Sequence, residues 1–469
     1  MTALARPANP GRKGVFWSSL NGVGSVVIPF AVFSAFAHIL APAELAQFGV
    51  ALACAELLKS LGPMGLYDVL IAHDESEREV HRTAAAVFLA GALVVSVVFV
   101  LAIAGSGWLL NMQISPLVDL LVLKILFDYL LLQPQAVLVR RGEVRRLGVR
   151  GLAAGTVSGA AGLAVGFMVA PLLGFAIYYV LLSALTLAMT AIGTGSAAMP
   201  AFSGGCFRAL RRQAALASGT RFSGGLNSYL DQIVIGHSFA PLAVGMYNVG
   251  KRIEVSIITV ASSLSQILWQ PTFARVGQDE RADEAGRAFA SVALICGVPV
   301  LALLVTAKQS VPLLFGAHWA DAAMVVALLG LSGLARALNG VGGAVFTVTS
   351  RNGTLLGLSL MGAMTNVAII LLSSRFGLEI AVALVAARNF LHGLLTLSLL
   401  AELRARVPVL LFANFVLPLA VVLATMFGLQ HLVAWLPQPP DGALRDLYQV
   451  AVIGGGGLAM GLLLLLKRI

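Results

Sequence analysis

Long apolar stretches dominate this sequence and leave almost no chain for a water-soluble domain. A helix needs about 20 apolar residues to cross a bilayer, and fourteen segments have roughly that length. Only 11% of the 469 residues are charged, whereas soluble domains usually carry about 25%. We therefore expect an all-α polytopic membrane protein with about 14 transmembrane helices. Their approximate limits are 14–40, 46–72, 84–107, 114–138, 151–170, 172–198, 219–239, 244–270, 288–307, 321–349, 353–374, 379–401, 409–428 and 448–466.

Lysine and arginine are distributed unevenly between alternate connections. With the N-terminus placed in the cytoplasm, 21 of the 31 basic residues fall on the cytoplasmic side, and only Lys308, Arg375 and Arg445 fall outside. Cytoplasmic loops are normally enriched in lysine and arginine. The asymmetry predicts a multi-pass membrane protein with both termini cytoplasmic. The net charge of +10 then reflects topology, so we expect no nucleic-acid partner.

The two halves of the chain resemble each other in sequence. SLNGVGSVVIPF (19–30) and GLNSYLDQIVIG (225–236) both lie early in a span, and APAELAQFGVA (41–51) and APLAVGMYNVG (240–250) both open the next one. This order predicts a duplicated, pseudo-symmetric six-helix unit. The expected domains are an N-terminal six-helix lobe at 1–200, a cytoplasmic basic linker at 201–217, a C-terminal six-helix lobe at 218–402 and two additional C-terminal helices at 403–469.

The motif GMYNVGK (245–251) has the glycine and lysine spacing of a phosphate-binding P-loop, but its context does not fit one. A P-loop follows a strand and has Ser or Thr after the lysine, whereas Arg252 follows Lys251 and a membrane span precedes the motif. Cys54, Cys206 and Cys296 are far apart and lack metal-ligand spacing. We therefore expect no enzyme activity, no catalytic residues, no metal and no cofactor.

Seven basic residues lie inside predicted spans, where a lysine or arginine at mid-bilayer costs about 2.5–3.5 kcal/mol. Arg221 is near a cytoplasmic end, where its head can reach the interface. Three acid–base pairs have the spacing of one helix face and are either structural ion pairs or parts of a functional site. These pairs are Glu56/Lys59, Lys124/Asp128 and Lys251/Glu254.

The remaining charged residues in the spans have no oppositely charged neighbour at helical spacing on their own span. They are Asp231, Arg252, Arg336 and Arg388, and they must find partners on other helices or line a hydrated cavity. The basic residues come from both halves and outnumber nearby acids, which favours one shared cationic cavity over a purely structural role. Arginine binds phosphate oxygens in a bidentate manner and lysine acts as a point charge, so an anion is the expected guest.

Several positions match the pattern of a known family: Asp231, Pro241, Gly245, Tyr247, Lys251, Arg252, Pro271, Phe273 and Arg275. With them, the sequence is similar to the polysaccharide-synthesis branch (Wzx-type oligosaccharide flippases) of the MOP exporter superfamily. The segment LLFGAHW (313–319) looks like the short outer-loop motif after the ninth span of these proteins.

The resemblance implies a flippase that moves a polyprenyl-diphosphate-linked oligosaccharide from the inner to the outer leaflet by alternating access, for cell-surface lipopolysaccharide or exopolysaccharide synthesis. Expected partners are this anionic lipid, the bilayer and a polysaccharide polymerase complex. The resemblance also implies a location in the bacterial plasma (inner) membrane. Asp231 is a candidate for coupling a proton or sodium ion. The residues expected to bind substrate in a cationic cavity are Lys59, Lys124, Lys251, Arg252, Arg336 and Arg388.

Three other functions remain open from the residues. A cation-coupled multidrug exporter of the same superfamily would want an acidic, aromatic-lined cavity, whereas the charges inside these spans are mostly basic. A different type of carrier for the lipid-linked cell-wall precursor would also bind an anionic lipid. A non-transporting scaffold in a polysaccharide-assembly complex would need none of the cavity charges.

Overall fold

The computed structural model describes residues 12–73, 77–109, 114–194, 199–278, 280–400, 406–435, 439 and 442–466, and these parts of the chain are helical with short connections. The terminal residues 1–11 and 467–469, predicted to be cytoplasmic, lie outside the described residues. Each of the fourteen predicted spans coincides with a long helix. We number these helices α1 (Arg12–Ile39), α2 (Pro42–Leu61), α3 (Arg78–Ala104), α4 (Leu121–Arg140), α5 (Val144–Met168), α6 (Pro171–Thr194), α7 (Gly204–Ser238), α8 (Pro241–Leu264), α9 (Arg281–Phe315), α10 (Ala323–Val348), α11 (Asn352–Ser373), α12 (Leu378–Ser398), α13 (Leu417–Trp435) and α14 (Gly442–Leu466).

Shorter helical segments extend or connect these helices. One of them, Gly65–Ala72, follows α2 after a bend of 50°. The π-helical turn Ser265–Trp269 continues α8, and a second π-helical turn, Ala293–Gly297, lies inside α9. The others are Ser106–Leu109, Pro116–Leu120, Gln270–Arg275, Ala317–Ala322, Ser374–Phe376, Val407–Leu411 and the π-helical turn Phe412–Val416.

Proline marks the start of several helices, as their sequence predicts. Pro42, Pro171 and Pro241 each begin a helix, where the missing N–H group removes no intrahelical hydrogen bond. The uncertain division between the fifth and sixth spans therefore falls at Pro171. In contrast, the basic stretch 207–213 is helical and continuous with α7, so the predicted linker at 201–217 is largely an extension of the seventh helix.

Nine helices within the described residues are long and apolar enough to cross a membrane, or ten if the bent pair after Pro42 is one span. Helices α4 and α8 are not among these ten, and both carry charged residues along their length. Lys124 and Asp128 lie on α4, and Lys251, Arg252 and Glu254 lie on α8. Charged residues in a bilayer normally face the protein interior. Helices α4 and α8 can therefore cross the membrane only if other protein groups surround these side chains.

The chain divides into two compact units. The first contains Met1–Phe33, Ala55–Ala104 and Ser115–Phe222, and the second contains Ser34–Cys54, Gly105–Ile114 and Ser223–Ile469. This division broadly follows the predicted N- and C-terminal halves, but a segment from the end of α1 through the first half of α2 groups with the second unit. The predicted domain boundaries themselves stay predictions.

In the first unit, α6 packs against α4 and α5, and α3 packs against α4. Glycines permit the closest approach. A Cβ atom built at Gly162 on α5 would lie 2.9 Å from the carbonyl oxygen of Gly174 on α6. Small residues let helix backbones approach closely in membranes, where packing rather than the hydrophobic effect drives association. The exposed valines and leucines of α3, such as Val94 and Leu101, are suited to contact with lipid.

In the second unit, α10 is the central helix and packs against α8, α9 and α12, while α13 and α14 pack against each other and against α9. The motif LLFGAHW ends α9 with a sharp turn. Gly316 has a φ of 107°, a conformation that glycine adopts without steric cost. The turn buries Trp319 completely, and its indole Nε1 donates to the Ala37 carbonyl at 2.9 Å.

Candidate functional site

The first unit contains a compact group of four charges, which we call the N-terminal cluster: Glu56 and Lys59 on α2, and Lys124 and Asp128 on α4. Lys59 Nζ lies 2.6 Å from Glu56 Oε2 and 2.7 Å from Asp128 Oδ2. Lys124 Nζ lies 2.7 Å from Asp128 Oδ2 and also contacts Glu56 Oε1. The two pairs predicted from helical spacing are confirmed, and contacts between α2 and α4 join them into one ring.

Two neutral side chains complete the N-terminal cluster. Ser183 on α6 donates its hydroxyl to Asp128 Oδ1 at 2.7 Å, and the Tyr129 hydroxyl donates to the Lys59 carbonyl at 2.7 Å. Two ammonium groups therefore face two carboxylates, and the formal charge is zero. A buried ion pair stays charged only when its geometry and hydrogen bonds offset desolvation. The N-terminal cluster meets that condition with residues of one unit.

The second unit contains a longer polar chain, the C-terminal network, which starts at Asp231 on α7. The Asp231 carboxylate receives a hydrogen bond from Lys251 Nζ at 2.5 Å and another from the Tyr247 hydroxyl at 2.8 Å. Lys251 also pairs with Glu254 Oε2 at 2.6 Å, as its spacing predicts. Asp231, Lys251 and Glu254 are only 3%, 4% and 1% exposed. The ammonium group thus lies between two buried carboxylates, and Asp231 finds on α8 the partner that its own span lacks.

The network continues from Glu254 to α10 and α12. Glu254 Oε1 accepts a hydrogen bond from the Ser332 hydroxyl at 2.7 Å and lies 3.5 Å from Arg336 Nη1. Asn389 Nδ2 donates to Ser332 Oγ at 2.8 Å, and Arg388 Nη1 donates to Asn389 Oδ1 at 2.6 Å. The C-terminal network therefore connects four helices of one unit from Asp231 to Arg388.

Arg388 differs from the other cations of the network because its hydrogen bonds within the described residues go to neutral groups. Besides Asn389, it donates from Nε to Thr365 Oγ1 at 2.9 Å and from Nη2 to the Gly362 carbonyl. The positive charge of Arg336 is close enough to repel that of Arg388. With Lys251, Arg336 and Arg388 set against Asp231 and Glu254, the network carries one more positive than negative charge in its ordinary ionisation state.

Arg336 also lines a cavity of about 190 Å³ in the second unit. Its one ion pair within the described part of the chain is the contact with Glu254. A guanidinium group has five N–H donors, so most of those donors remain for other partners. The polar residues that share the cavity wall with Arg336 are Ser262, Ser265, Gln266 and Gln270.

The structure places the other predicted residues as follows. Arg252 is half-buried on α8, one position after Lys251. Arg221 makes a partly exposed bidentate pair with Asp68, with Nε–Oδ2 and Nη2–Oδ1 distances of 2.8 and 2.7 Å. Its expected reach toward the interface stays a prediction. The described residues hold no group of three or more histidine, cysteine, aspartate or glutamate side chains arranged for a metal ion.

Sequence reasoning missed the hydrogen bonds that the neutral side chains make in both clusters. These side chains are Tyr129, Ser183, Tyr247, Ser332 and Asn389, of which only Tyr247 had been noted, as a position matching the family. Two of them carried a usable signal. Ser332 lies four residues before Arg336, and Asn389 lies beside Arg388. A hydroxyl or amide next to a charge inside an apolar span is a natural bridging group, because buried polar atoms need hydrogen-bond partners.

Comparison with solved structures identifies the fold. The chain is similar to the lipid II flippase MurJ in an inward closed conformation, with a TM-score of 0.69 and 14% identity over 97% of this chain and 98% of MurJ. It is also similar to an inward-facing multidrug resistance MATE family transporter of the MOP superfamily. That match has a TM-score of 0.60 and 15% identity over 83% of this chain and 99% of the transporter. These likenesses establish the fold, which proteins with different substrates share.

Sequence comparison identifies the family. The model of the family described as "Polysaccharide biosynthesis protein" matches residues 35–324, and the chain belongs to this family. It is also 26% identical over 342 residues to the succinoglycan biosynthesis transport protein ExoT of Rhizobium meliloti (strain 1021), covering 68% of this chain and 65% of ExoT. The prediction of a polysaccharide-synthesis protein is confirmed at the level of this family, and the fold is shared with a transporter of the MOP superfamily. The chain is therefore a multi-pass membrane protein of the polysaccharide biosynthesis family.

Proposed function

We propose that the protein is a flippase that moves a polyprenyl-diphosphate-linked oligosaccharide from the inner to the outer leaflet of the bacterial plasma membrane by alternating access. The observation that carries this proposal is the excess positive charge of the C-terminal network, which contains Arg388 without a carboxylate partner among the described residues. Membership of the polysaccharide biosynthesis family supports a glycan cargo. A diphosphate supplies the negative charge that this network lacks.

The six basic residues have unequal roles in this proposal. Arg388 and Arg336 are the primary diphosphate ligands, because Arg388 bonds only neutral groups and Arg336 has donors that are not engaged. Lys59, Lys124 and Lys251 contact carboxylates at short distances, so a phosphate must compete with those carboxylates to reach them. Arg252 completes the set through its position on α8 next to Lys251.

The membrane potential is the proposed driving force. Moving one elementary charge across 100 mV is worth about 2.3 kcal/mol, so a doubly charged headgroup leaving an inside-negative cell gains about 4–5 kcal/mol per 100 mV. Coupling of a proton or sodium ion through Asp231 is the alternative drive. It requires Asp231 and Lys251 to separate, because the ammonium lies 2.5 Å from the carboxylate. Transport that depends on sodium or on a pH gradient at zero potential would support the ion-coupled route.

Transport by Arg388 variants in proteoliposomes tests the proposal. Arg388→Ala should reduce binding of the lipid-linked oligosaccharide about 10- to 100-fold, because a hydrogen bond to a charged group contributes about 1.5–3 kcal/mol and 1.4 kcal/mol is tenfold. Arg388→Lys keeps the charge but loses bidentate geometry. Its affinity for the lipid should therefore lie between those of the original protein and Arg388→Ala. Arg375→Ala removes the same charge from an exposed position and should have no effect.

Full transport by Arg388→Ala and Arg336→Ala, with normal amounts of protein in the membrane, would contradict the assignment of substrate ligands. Drug resistance conferred on a sensitive host would favour the multidrug exporter. Rescue of a strain that lacks its essential lipid-linked cell-wall precursor flippase would favour the other lipid carrier. Normal polysaccharide export after removal of all six basic residues would leave the scaffold function.

A further inference from the structure

The cavity beside Arg336 has the chemistry of a carbohydrate subsite. Its wall carries two hydroxyls, from Ser262 and Ser265, and two side-chain amides, from Gln266 and Gln270. Each of these groups both donates and accepts hydrogen bonds, as the hydroxyls of a sugar do. Ser262 and Gln266 are exposed, whereas Ser265 is buried. The rest of the wall is formed by small or apolar residues.

The π-helical turn Ser265–Trp269 arranges these groups on one wall. In an α-helix with 3.6 residues per turn, side chains five positions apart diverge by about 140°. Here Ser265 and Gln270, five positions apart, face each other with a Gln270 Nε2–Ser265 Oγ distance of 3.5 Å. The widened turn therefore directs Gln270 to the side that Ser265 occupies. Single π turns within α-helices are frequent at functional sites.

The cavity volume limits the ligand to one small group. At about 190 Å³, the cavity far exceeds the ~10–15 Å³ that one water needs. It is smaller than the ~300–1,000 Å³ of pockets that enclose drug-sized ligands. A single sugar ring fits this range, and an oligosaccharide does not.

We infer that this cavity binds the sugar residue attached directly to the diphosphate, with Arg336 holding the adjacent phosphate. Arg336 belongs both to the C-terminal network and to the cavity wall, so a ligand that spans the two must carry an anion next to a hydroxyl-rich ring. This inference rests on the proposed flippase function and adds to it a subsite for the first sugar. Ser262, Ser265, Gln266 and Gln270 are its specificity-determining residues.

Binding of two lipids distinguishes what the sugar and the diphosphate each contribute to affinity. One is the lipid-linked oligosaccharide extracted from cells that produce the polysaccharide, and the other is synthetic polyprenyl diphosphate of the same chain length, which carries no sugar. The variant Gln266→Met/Gln270→Met keeps side-chain length but removes both amides. The matched control is Gln309→Met, which removes an amide on α9 whose partner is Gln449, away from the cavity.

The double variant should bind the glycosylated lipid about tenfold more weakly, the effect of losing two neutral hydrogen bonds. It should bind the sugar-free lipid within twofold of the original protein, and Arg336→Ala should weaken both. A second variant, Ser262→Ala, makes the same distinction without altering the π-helical turn. If the unmodified protein binds neither lipid, the proposed flippase function fails. If it binds both and the glutamine variant shifts both equally or neither, only the sugar subsite is wrong.

Discussion

Lys251 is the charge whose removal should disturb the protein most, because it separates two buried carboxylates. Its Nζ lies 2.5 Å from Asp231 and 2.6 Å from Glu254, and methionine cannot replace either contact. Breaking a buried ion pair by removing one partner usually costs about 3–5 kcal/mol, since an uncompensated charge stays behind. We therefore expect Lys251→Met to lower the free energy of unfolding by about that amount.

The contacts that remain predict which second substitution restores stability. Without Lys251, Glu254 retains Arg336 at 3.5 Å and the Ser332 hydroxyl. Asp231 retains the Tyr247 hydroxyl and the backbone N–H of Gln232, both neutral donors. Adding Asp231→Asn to Lys251→Met should therefore recover most of the loss. Adding Glu254→Gln should recover less, because it also deprives Arg336 of its carboxylate.

Denaturant unfolding in detergent micelles or nanodiscs, followed by tryptophan fluorescence, measures these differences for the original protein, Lys251→Met and the two double variants. Arg375→Ala, at an exposed position, is the control for loss of one positive charge. The interpretation of the C-terminal network as a charge-matched unit is refuted if Lys251→Met loses less than about 1 kcal/mol, the range of exposed ion pairs. Equal recovery by the two second substitutions would show that Arg336 does not stabilise Glu254.

Three further perturbations test other parts of the structure. Arg221→Lys should change the free energy of unfolding by less than about 1 kcal/mol, because its pair with Asp68 is partly exposed. Trp319→Phe should lower stability by about 1–3 kcal/mol in unfolding assays, since the buried Ala37 carbonyl loses its donor. Gly65→Ala should reduce folded protein sharply in size-exclusion assays, because its Cβ would lie 2.1 Å from the Ser218 backbone nitrogen, whereas Gly343→Ala, with its nearest neighbour at 3.9 Å, should not.

Features that depend on spacing along a single helix could be predicted from the sequence. Runs of apolar residues placed all fourteen long helices, and spacings of three or four residues identified Glu56/Lys59, Lys124/Asp128 and Lys251/Glu254. These features depend only on helix length and periodicity. The extension of α7 back to Gly204 was missed because its arginines are incompatible with a bilayer, although a helix can continue beyond the membrane surface.

Contacts between different helices could not be predicted from the sequence. Asp231 and Lys251 are 20 positions apart, and Glu254 and Arg336 are 82 apart, so no helical period connects them. The bend after α2 that leads to Asp68, the partner of Arg221, depends on three-dimensional packing. The π-helical turn Ser265–Trp269 leaves no mark in composition, because a change in backbone winding requires no change in apolar content. The cavity beside it was therefore invisible in the sequence.

The two charge networks share a plan that supports the duplication of the chain. In the first unit, Glu56 on α2 pairs with Lys124 on α4, and a polar residue of α6 completes the group. In the second, Glu254 on α8 pairs with Arg336 on α10, and Asn389 of α12 completes it. Glu56 lies 14 residues after Pro42, and Glu254 lies 13 after Pro241, so the acids occupy nearly equivalent positions in the second helix of each half.

The two networks differ in their balance of positive and negative charges. In the first unit, two cations meet two carboxylates within the N-terminal cluster. In the second, Arg388 adds a cation whose contacts in the described chain are neutral. A purely structural network has no reason to keep an extra half-buried charge, because a charge removed from water without an oppositely charged partner lowers stability. An acid–base pair thus joins neighbouring helices in both units, and the additional arginine of the second unit is the residue that we propose as a ligand of an anionic cargo.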